Sequence, residues 1–258
     1  MLRIASQTVH TLDGTSVASE VLARLHIGSQ LLTPHAFMHG CSPESWYTLD
    51  IEVLKMVGTS PVLRAAKGPT FVNISPATLE SDQYLASFCK QIAQQVDSRS
   101  GPLVIEIPEK SAVAGKQLVN KLQEIEFAGA QVAIDDFGRD HAVQNRLEIH
   151  PWRYCKIDLA AFQEQSNLNW LDQAIRYARD HSIQLIMEKL ESFRDLDVLS
   201  PVKKTAWYQG YVYARPALLE TPHTVFGGNR GEWSGGRASL VRLRRGGVSC
   251  DRRGNASS

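Results

Sequence analysis

Paired cysteines are absent from this chain. Cys41, Cys89, Cys155 and Cys250 are scattered without a C-x-x-C spacing, which argues against a disulfide framework and against a thiolate zinc site, and leaves them as reduced thiols. Also missing is an apolar run of the ~18 residues that a membrane-spanning helix needs, so no membrane segment is expected. The opening Met-Leu-Arg-Ile-Ala lacks the charged-then-apolar order of a secretion signal, and a cytoplasmic location is the expectation. No charge of one sign dominates, because 28 Lys and Arg face 27 Asp and Glu for a net +1. That balance hides an asymmetry. Residues 227–258 hold seven Arg against Glu232 and Asp251, a net +5, so residues 1–226 carry −4 of the overall +1. A nucleic-acid polymer is therefore not an expected partner of the main part of the chain, whereas an acidic, cation-binding cavity is compatible with it. No internal repeat is evident, which argues against a solenoid.

What is present is a regular alternation. Apolar segments of strand length occur at Leu2–Val9, Val17–Leu22, Thr70–Ile74, Leu103–Ile107, Gln131–Ile134, Tyr154–Ile157, Gln184–Met187 and Ala206–Tyr208. Helical spacing of apolar residues falls between them, at Gln83–Gln95, Lys116–Ala128, Leu168–Asp180 and Phe193–Leu199. This order predicts an α/β fold with a parallel sheet and crossover helices. A length of 258 residues with 43% hydrophobic content suits one large barrel or two small domains. From Gly227 the character changes to eight glycines, seven Arg and no Lys, the composition of a segment that buries no core. The expected division is a domain over 1–222 and a disordered Gly/Arg-rich tail over 223–258.

Strand after strand ends in an acid or an amide. Asn73 follows Phe71-Val72, Glu106 follows Val104-Ile105, Asp135 follows Ala133-Ile134, Asp158 follows Lys156-Ile157, and Glu188 follows Ile186-Met187. In a (β/α)8 barrel these strand ends converge on one mouth, whereas an open sheet spreads them along an edge. Most informative is Ala-Gln-Val-Ala-Ile-Asp-Asp-Phe-Gly at residues 130–138, an apolar strand that runs into two adjacent acids. Side chains alternate along a strand, so two consecutive carboxylates share one volume only where the strand stops, and their repulsion there must be offset by cations or donors. Taken alone, the pair is at least as well explained by Asp136 as a helix cap and Asp135 in an ion pair. Its neighbours weaken that account. Glu20, Asn73, Glu106, Asp135, Asp136 and Glu188 are all oxygen donors, with Lys156 the one cation among them, and such a set suits Mg²⁺ or Mn²⁺ rather than zinc or copper. Two ions bridged by Asp135 point to phosphodiester hydrolysis. Singly, Glu20 could equally be a solvated acid, Asn73 a cap near Ser75-Pro76, and Lys156 a partner of Asp158.

These blocks resemble the EAL-domain cyclic di-GMP phosphodiesterases, in order and approximate spacing, from about Ser6 to Pro216. Ser6-Gln7-Thr8-Val9 resembles the opening Tyr-Gln-Pro-Ile, and Glu20-Val21-Leu22 stands for the Glu-Ala-Leu that names the family. Val72-Asn73-Ile74-Ser75-Pro76 and Glu106-Ile107-Pro108-Glu109 are close matches, while Asp135-Asp136-Phe137-Gly138 and Lys156-Ile157-Asp158 are identical. Glu188-Lys189-Leu190-Glu191 resembles Glu-Gly-Val-Glu, and Gln209-Gly210-Tyr211 with Ala214-Arg215-Pro216 resembles the closing block. The resemblance implies a TIM-like (β/α)8 barrel with one antiparallel strand near the start, and conversion of cyclic di-GMP to linear pGpG with two Mg²⁺ or Mn²⁺ ions. It implies that Glu20, Asn73, Glu106 and Asp135 hold one ion, and that Asp135, Asp136 and Glu188 serve the second. Lys156 positions the water, Gln7 and Arg24 meet the nucleotide, Glu191 and Gln209 support the network of metal and water, and Glu109 anchors the loop after Asp136. A homodimer is compatible with the family.

Three places depart from the pattern. Arg139-Asp140-His141-Ala142-Val143 replaces Thr-Gly-Tyr-Ser-Ser, Lys189 replaces Gly, and Pro108 replaces Thr. Lys189 places a cation beside Glu188, where it either faces away or competes with metal. No expected ligand is lost. Two readings follow: a two-metal phosphodiesterase, or a binding module on the same fold that serves as a cyclic di-GMP receptor or protein-interaction regulator. The loop at Arg139–Val143 is the sequence feature that separates them.

Overall fold

Eight strands close into a barrel because the first of them pairs on both sides. In the computed structural model the described residues are 1–138, 143–159, 169–196 and 203–220, with a short ribbon at Leu243–Arg244 and Gly247–Val248. β1 (Leu2–His10) runs antiparallel to β2 (Ser16–Ile27), from Leu2 opposite Leu25 to His10 opposite Ser16. The short β3 (Gln30–Leu32) extends β2 as a hairpin. Parallel pairing then passes from β2 through β4 (Thr70–Asn73), β5 (Leu103–Ile107), β6 (Gln131–Phe137), β7 (Tyr154–Asp158) and β8 (Gln184–Glu188) to β9 (Trp207–Tyr208). His10 of β1 meets Tyr208 of β9 and completes the ring, and β10 (Ala217–Leu218) adds to β1 beside that seam. The expected barrel with one reversed strand at its start is the observed architecture.

Helices cover the outside. α1 (Pro34–Phe37), α2 (Pro43–Thr59) and α3 (Pro61–Ala65) follow the first hairpin, and α4 (Pro76–Glu80) and α5 (Asp82–Ala93) follow β4. α6 (Gly115–Phe127), α7 (Val143–Glu148) and α8 (Asn169–Asp180) cross between the later strands. Three of them start on the same dipeptide. Ser42, Ser60 and Ser75 each cap a helix whose first residue is proline, with the serine oxygen accepting from a backbone N–H three residues on. The hydroxyl meets an otherwise unpaired donor, and the proline occupies a position whose N–H has no helical partner. The long α2 was not singled out from the sequence, and the segment beginning at Phe193 is a short 3₁₀ helix, Phe193–Leu196, rather than an α-helix. Among the described residues no helix is long and apolar enough to cross a membrane.

The core has two parts. The larger lies between the barrel wall and the helices, and includes Leu54, Leu85, Phe88, Leu122 and Ile125 from the helices against Ile105, Val132 and Ile157 from the strands. The smaller fills the barrel itself with Val9, Ala18, Phe71, Val104, Ala133, Tyr154 and Ile186, one residue from each of seven strands, and Trp207 of β9 packs against it. This apolar floor decides what lies above it. Side chains on one face of a strand recur every second residue, so the next inward layer is fixed by the floor. It consists of Glu20, Asn73, Glu106, Asp135, Lys156, Glu188 and Gln209, while antiparallel β1 reaches the same level two residues earlier, at Gln7. The loop at 139–142, residues 160–168 and 197–202, and the tail from 221 apart from its short ribbon lie outside the described residues. The expected division at residue 222 and the tail's disorder belong to that part of the chain.

Candidate active site

Above the apolar floor lies a cleft of about 430 Å³. Its walls include Gln7, Glu20, Asp135, Asp136, Lys156, Glu188, Glu191 and Gln209 among the expected site residues, and also Leu22, Lys189, Leu190, Gly210 and Tyr211. At its base Lys156 is almost wholly buried and its ammonium is shared by four carboxylates: Glu106 Oε1 at 2.6 Å, Glu188 Oε1 at 2.8 Å, Glu20 Oε2 at 3.2 Å and Asp135 Oδ1 at 3.5 Å. Its sequence-level alternative, a simple pair with Asp158, is not how these charges are arranged. Amides complete the lower ring. Asn73 Nδ2 donates to Glu20 Oε1 at 3.0 Å, Gln209 Nε2 donates to Glu20 Oε2 at 2.6 Å and to Gln7 Oε1 at 3.3 Å, and Gln7 Nε2 donates to the Ala214 carbonyl at 3.0 Å.

Asp135 and Asp136 share the cleft through the backbone. Asp136 has φ of +50°, and the β6–β7 register slips between Ile134 and Phe137, so strict alternation fails where both acids are needed. Ligand oxygens of Asp135, Asp136 and Glu188 lie within 4.8 Å of one another. Two strands on, just after β8, the same device recurs at Lys189, with φ of +60°. Its Nζ meets Asp158 Oδ2 at 2.5 Å and Asp136 Oδ1 at 3.3 Å.

Charge is crowded here, and the ionisation equilibria show it. Burial pushes the Glu106 carboxyl well above its ordinary value, and Glu20, Asp135 and Glu188 add to the effect against the pull of Lys156. Burial also lifts Glu188 to about 8, opposed by Lys156 and reinforced by Asp135 and Glu20. Asp135 is raised for the same leading reason. Glu20 goes the other way. Burial alone would raise it, but Lys156 and the donors Gln209 and Asn73 outweigh burial and hold it low. For Lys156 burial disfavours the ammonium, yet the four surrounding carboxylates outweigh that and keep its pKa well above the lysine value.

This cluster fits divalent cations on its own evidence. Four carboxyl groups share one buried ammonium, so they outnumber the one positive group among them. Glu106 is 1% exposed and its Oε2 is buried without a hydrogen-bond donor. Buried acceptors of this kind are costly unless something cationic faces them. All the donors are hard oxygens, the ligand type of Mg²⁺, Mn²⁺ and Ca²⁺. His35 and His39 stand four residues apart in the sequence but are not part of the cleft.

The remaining expected residues sit at the edges. Arg24, further along the inward face of β2, is half-buried; its guanidinium donates to the Ala23 carbonyl at 2.8 Å, and burial lowers its pKa while Glu20 and Tyr211 raise it. Glu109 lies beyond β5, where Arg146 of α7 donates to the Glu109 carbonyl at 3.0 Å and to the Pro108 carbonyl at 2.6 Å. This ties the helix that follows residues 139–142 to the end of β5. The sequence marked Asp158 only as a strand-end acid and an alternative partner of Lys156, and gave Tyr211 no role in the site. Asp158 carried a signal, since it lies two residues beyond Lys156 on the same strand face.

A family model described as the EAL domain matches residues 2–216. The chain is 26% identical over 230 residues to the probable cyclic di-GMP phosphodiesterase PdeA of Escherichia coli (strain K12), covering 84% of this chain and 31% of that protein. It therefore spans about a third of the length of that relative. Two solved structures share its fold. The Bacillus subtilis YkuI protein, which has an EAL domain and was solved with substrate c-di-GMP and calcium, superposes with a TM-score of 0.70 at 21% identity, over 84% of this chain and 55% of that one. Klebsiella pneumoniae BlrP1, solved as a manganese and cy-diGMP complex, gives a TM-score of 0.68 at 20% identity, over 84% of this chain and 56% of that one. With the family's sequence blocks arranged around one acidic cleft, and the family model matching almost all of the barrel, the chain belongs to the EAL domain family.

Proposed function

We propose that this domain hydrolyses cyclic di-GMP to linear pGpG in a reaction that depends on divalent metal. The observation that carries the reading is the inward ring of Glu20, Asn73, Glu106, Asp135 and Glu188 around Lys156, on the floor of an open cleft. The names of PdeA, YkuI and BlrP1 support the choice of substrate, and calcium and manganese in the latter two support a divalent ion. Glu20, Asn73, Glu106 and Asp135 would hold one Mg²⁺ or Mn²⁺, and Asp135, Asp136 and Glu188 a second. Such ions supply Lewis acidity, which makes water a nucleophile near neutral pH and offsets charge on the phosphate.

The chain's own groups do the rest. Lys156 keeps the lower carboxylates close together, and its ammonium is placed to hold the attacking water or to meet charge developing on the phosphoryl oxygens. Glu188, at the end of β8 beside Lys156, would serve the second ion or take a proton from the attacking water. Gln209 fixes Glu20, and Glu191 faces the same cleft, so both support the network of ligands and water. Gln7 and Arg24 on the antiparallel pair β1–β2 provide an amide and a positive charge for the nucleotide, and Glu109 with Arg146 steadies the segment after Asp136. At the rim, Arg215 stacks over Tyr211 at 4.4 Å from the ring centroid, a flat surface of the kind that receives a base.

Incubation of the purified chain with cyclic di-GMP and Mg²⁺ or Mn²⁺ tests the proposal, with Glu20→Ala as control and pGpG as readout. Product is expected with the wild type at a rate at least a hundredfold above the control. No product above the control with either metal overturns hydrolysis; retained nucleotide binding in that preparation would support the receptor reading, which the lysine at position 189 favours.

A further inference from the structure

Lys189 stands in the cleft where cation-binding oxygens are closest together. Strand alternation would turn the residue after Glu188 away from the barrel interior, but the φ of +60° redirects the chain, and the ammonium reaches Asp136 and the fully buried Asp158. A positive φ is strained for a residue with a side chain and free for glycine, so lysine is held here against its backbone preference. The compensation is electrostatic. Asp158 has no exposure to water and needs a counter-charge, and Asp136 is one of the three acids, with Asp135 and Glu188, whose oxygens cluster within 4.8 Å. An ammonium bonded to Asp136 opposes a divalent ion at that cluster in two ways. It repels the ion, and it occupies one of its ligand oxygens. Lys156 pairs with carboxylates on both sides of the ring, Glu20 and Glu106 as well as Asp135 and Glu188, so it does not distinguish the two positions, whereas Lys189 adds a second ammonium on the side of Asp136.

We propose that Lys189 is a built-in competitor for the second divalent ion, so that the two cation positions of this centre differ widely in affinity. The first ion, on the side of Glu20, Asn73 and Glu106, faces only the Lys156 ammonium and binds more tightly than the second. The second binds at Asp135, Asp136 and Glu188 only as the half-exposed Lys189 side chain gives up Asp136. Occupancy of the second position then follows the free metal concentration. This inference rests on the reading of the cleft as a divalent-metal centre.

The test is calorimetric titration of the metal-stripped full chain with Mn²⁺ and no nucleotide, for wild type, Lys189→Gly, Lys189→Asn and Lys189→Arg. Glycine suits the backbone at 189, and asparagine tolerates it without a charge, so neither variant depends on the ion pairs to keep its turn. Wild type and Lys189→Arg are expected to bind one ion tightly and a second at least tenfold more weakly. In Lys189→Gly and Lys189→Asn the second ion should tighten about tenfold or more, as expected from removing a unit positive charge at ligand distance, with the first within about twofold of wild type. Two equal sites in wild type, a second site unmoved by removal of the charge, or no Mn²⁺ binding at all would each overturn the proposal. A chain that shows the expected titration yet forms no pGpG fails the hydrolysis reading alone. An active chain with two matched sites fails only the assignment to Lys189.

Discussion

Asp50 lies on α2, outside the charged ring, and is nonetheless tied to it. Its Oδ2 accepts from the Ser75 N–H at 2.9 Å, from Ser75 Oγ at 2.6 Å and from Thr78 Oγ1 at 2.6 Å, which fixes the start of α4 two residues after Asn73. Burial pushes its carboxyl up to about 6 against those hydrogen bonds. The folded chain thus holds the Asp50 proton more tightly than the unfolded chain, whose value is near 3.8. Between these two values the folded state binds more protons, so stability is highest at the acidic end of the window and falls as pH rises through it, by about 3 kcal/mol at most. Asp50→Asn keeps an acceptor for Ser75 and removes the titration. Thermal melts should show a smaller loss of Tm from pH 4 to pH 7 in this variant than in wild type, and equal losses would refute the assignment. At this scale the sequence was informative about chemistry and silent about pairing. Glu20, Glu106, Asp135 and Glu188 could be read as strand-end acids. That Lys156 gathers four of them, and that Lys189 takes Asp136 and Asp158, depends on distances set by strands up to 168 residues apart in the sequence numbering of Glu20 and Glu188.

Among the elements, strands were more legible than helices. Each of the eight barrel strands falls on an apolar segment visible in the sequence, because burial on both faces demands continuous apolar runs. The helix α2 is harder to see, since its buried residues include Asp50 among Leu49, Ile51, Val53, Leu54 and Val57. Its Ser42-Pro43 start repeats at Ser60-Pro61 and Ser75-Pro76, a signal strong enough to have marked it. The turn after β9 matters most for the site. Gly210 packs on the backbone of Leu190, and a β-carbon there would lie 2.1 Å from the Leu190 carbonyl oxygen and 2.4 Å from its nitrogen. Backbone atoms cannot move aside as a flexible side chain can. Gly210→Ala should therefore lower stability by about 1–3 kcal/mol and displace Gln209 from Glu20, with more than a tenfold loss of pGpG formation. Denaturant melts and the hydrolysis assay on the same preparation check both effects, and unchanged activity would show that the Gln209 to Glu20 bond is dispensable.

For the whole molecule, the barrel concentrates negative charge at one end of its interior, and cation binding should stabilise the fold. A ligand that binds only the native state contributes about 2.7 kcal/mol at a hundred times its dissociation constant. Adding Mn²⁺ to the metal-stripped chain should raise Tm by several degrees, EDTA should reverse the shift, and Glu106→Gln should reduce it; a Tm indifferent to Mn²⁺ would count against the metal centre. Local chemistry, readable along the chain, determined the strands, the acid or amide that ends most of them and the family to which they belong, because apolar periodicity and short motifs act over a few residues. Closure of β1 onto both β2 and β9 decided which side chains face one another, since only a closed ring turns a period of two into a layer. The left-handed backbone at Asp136 and Lys189 decided the rest, because it overrides alternation at the two strand ends where charges must converge.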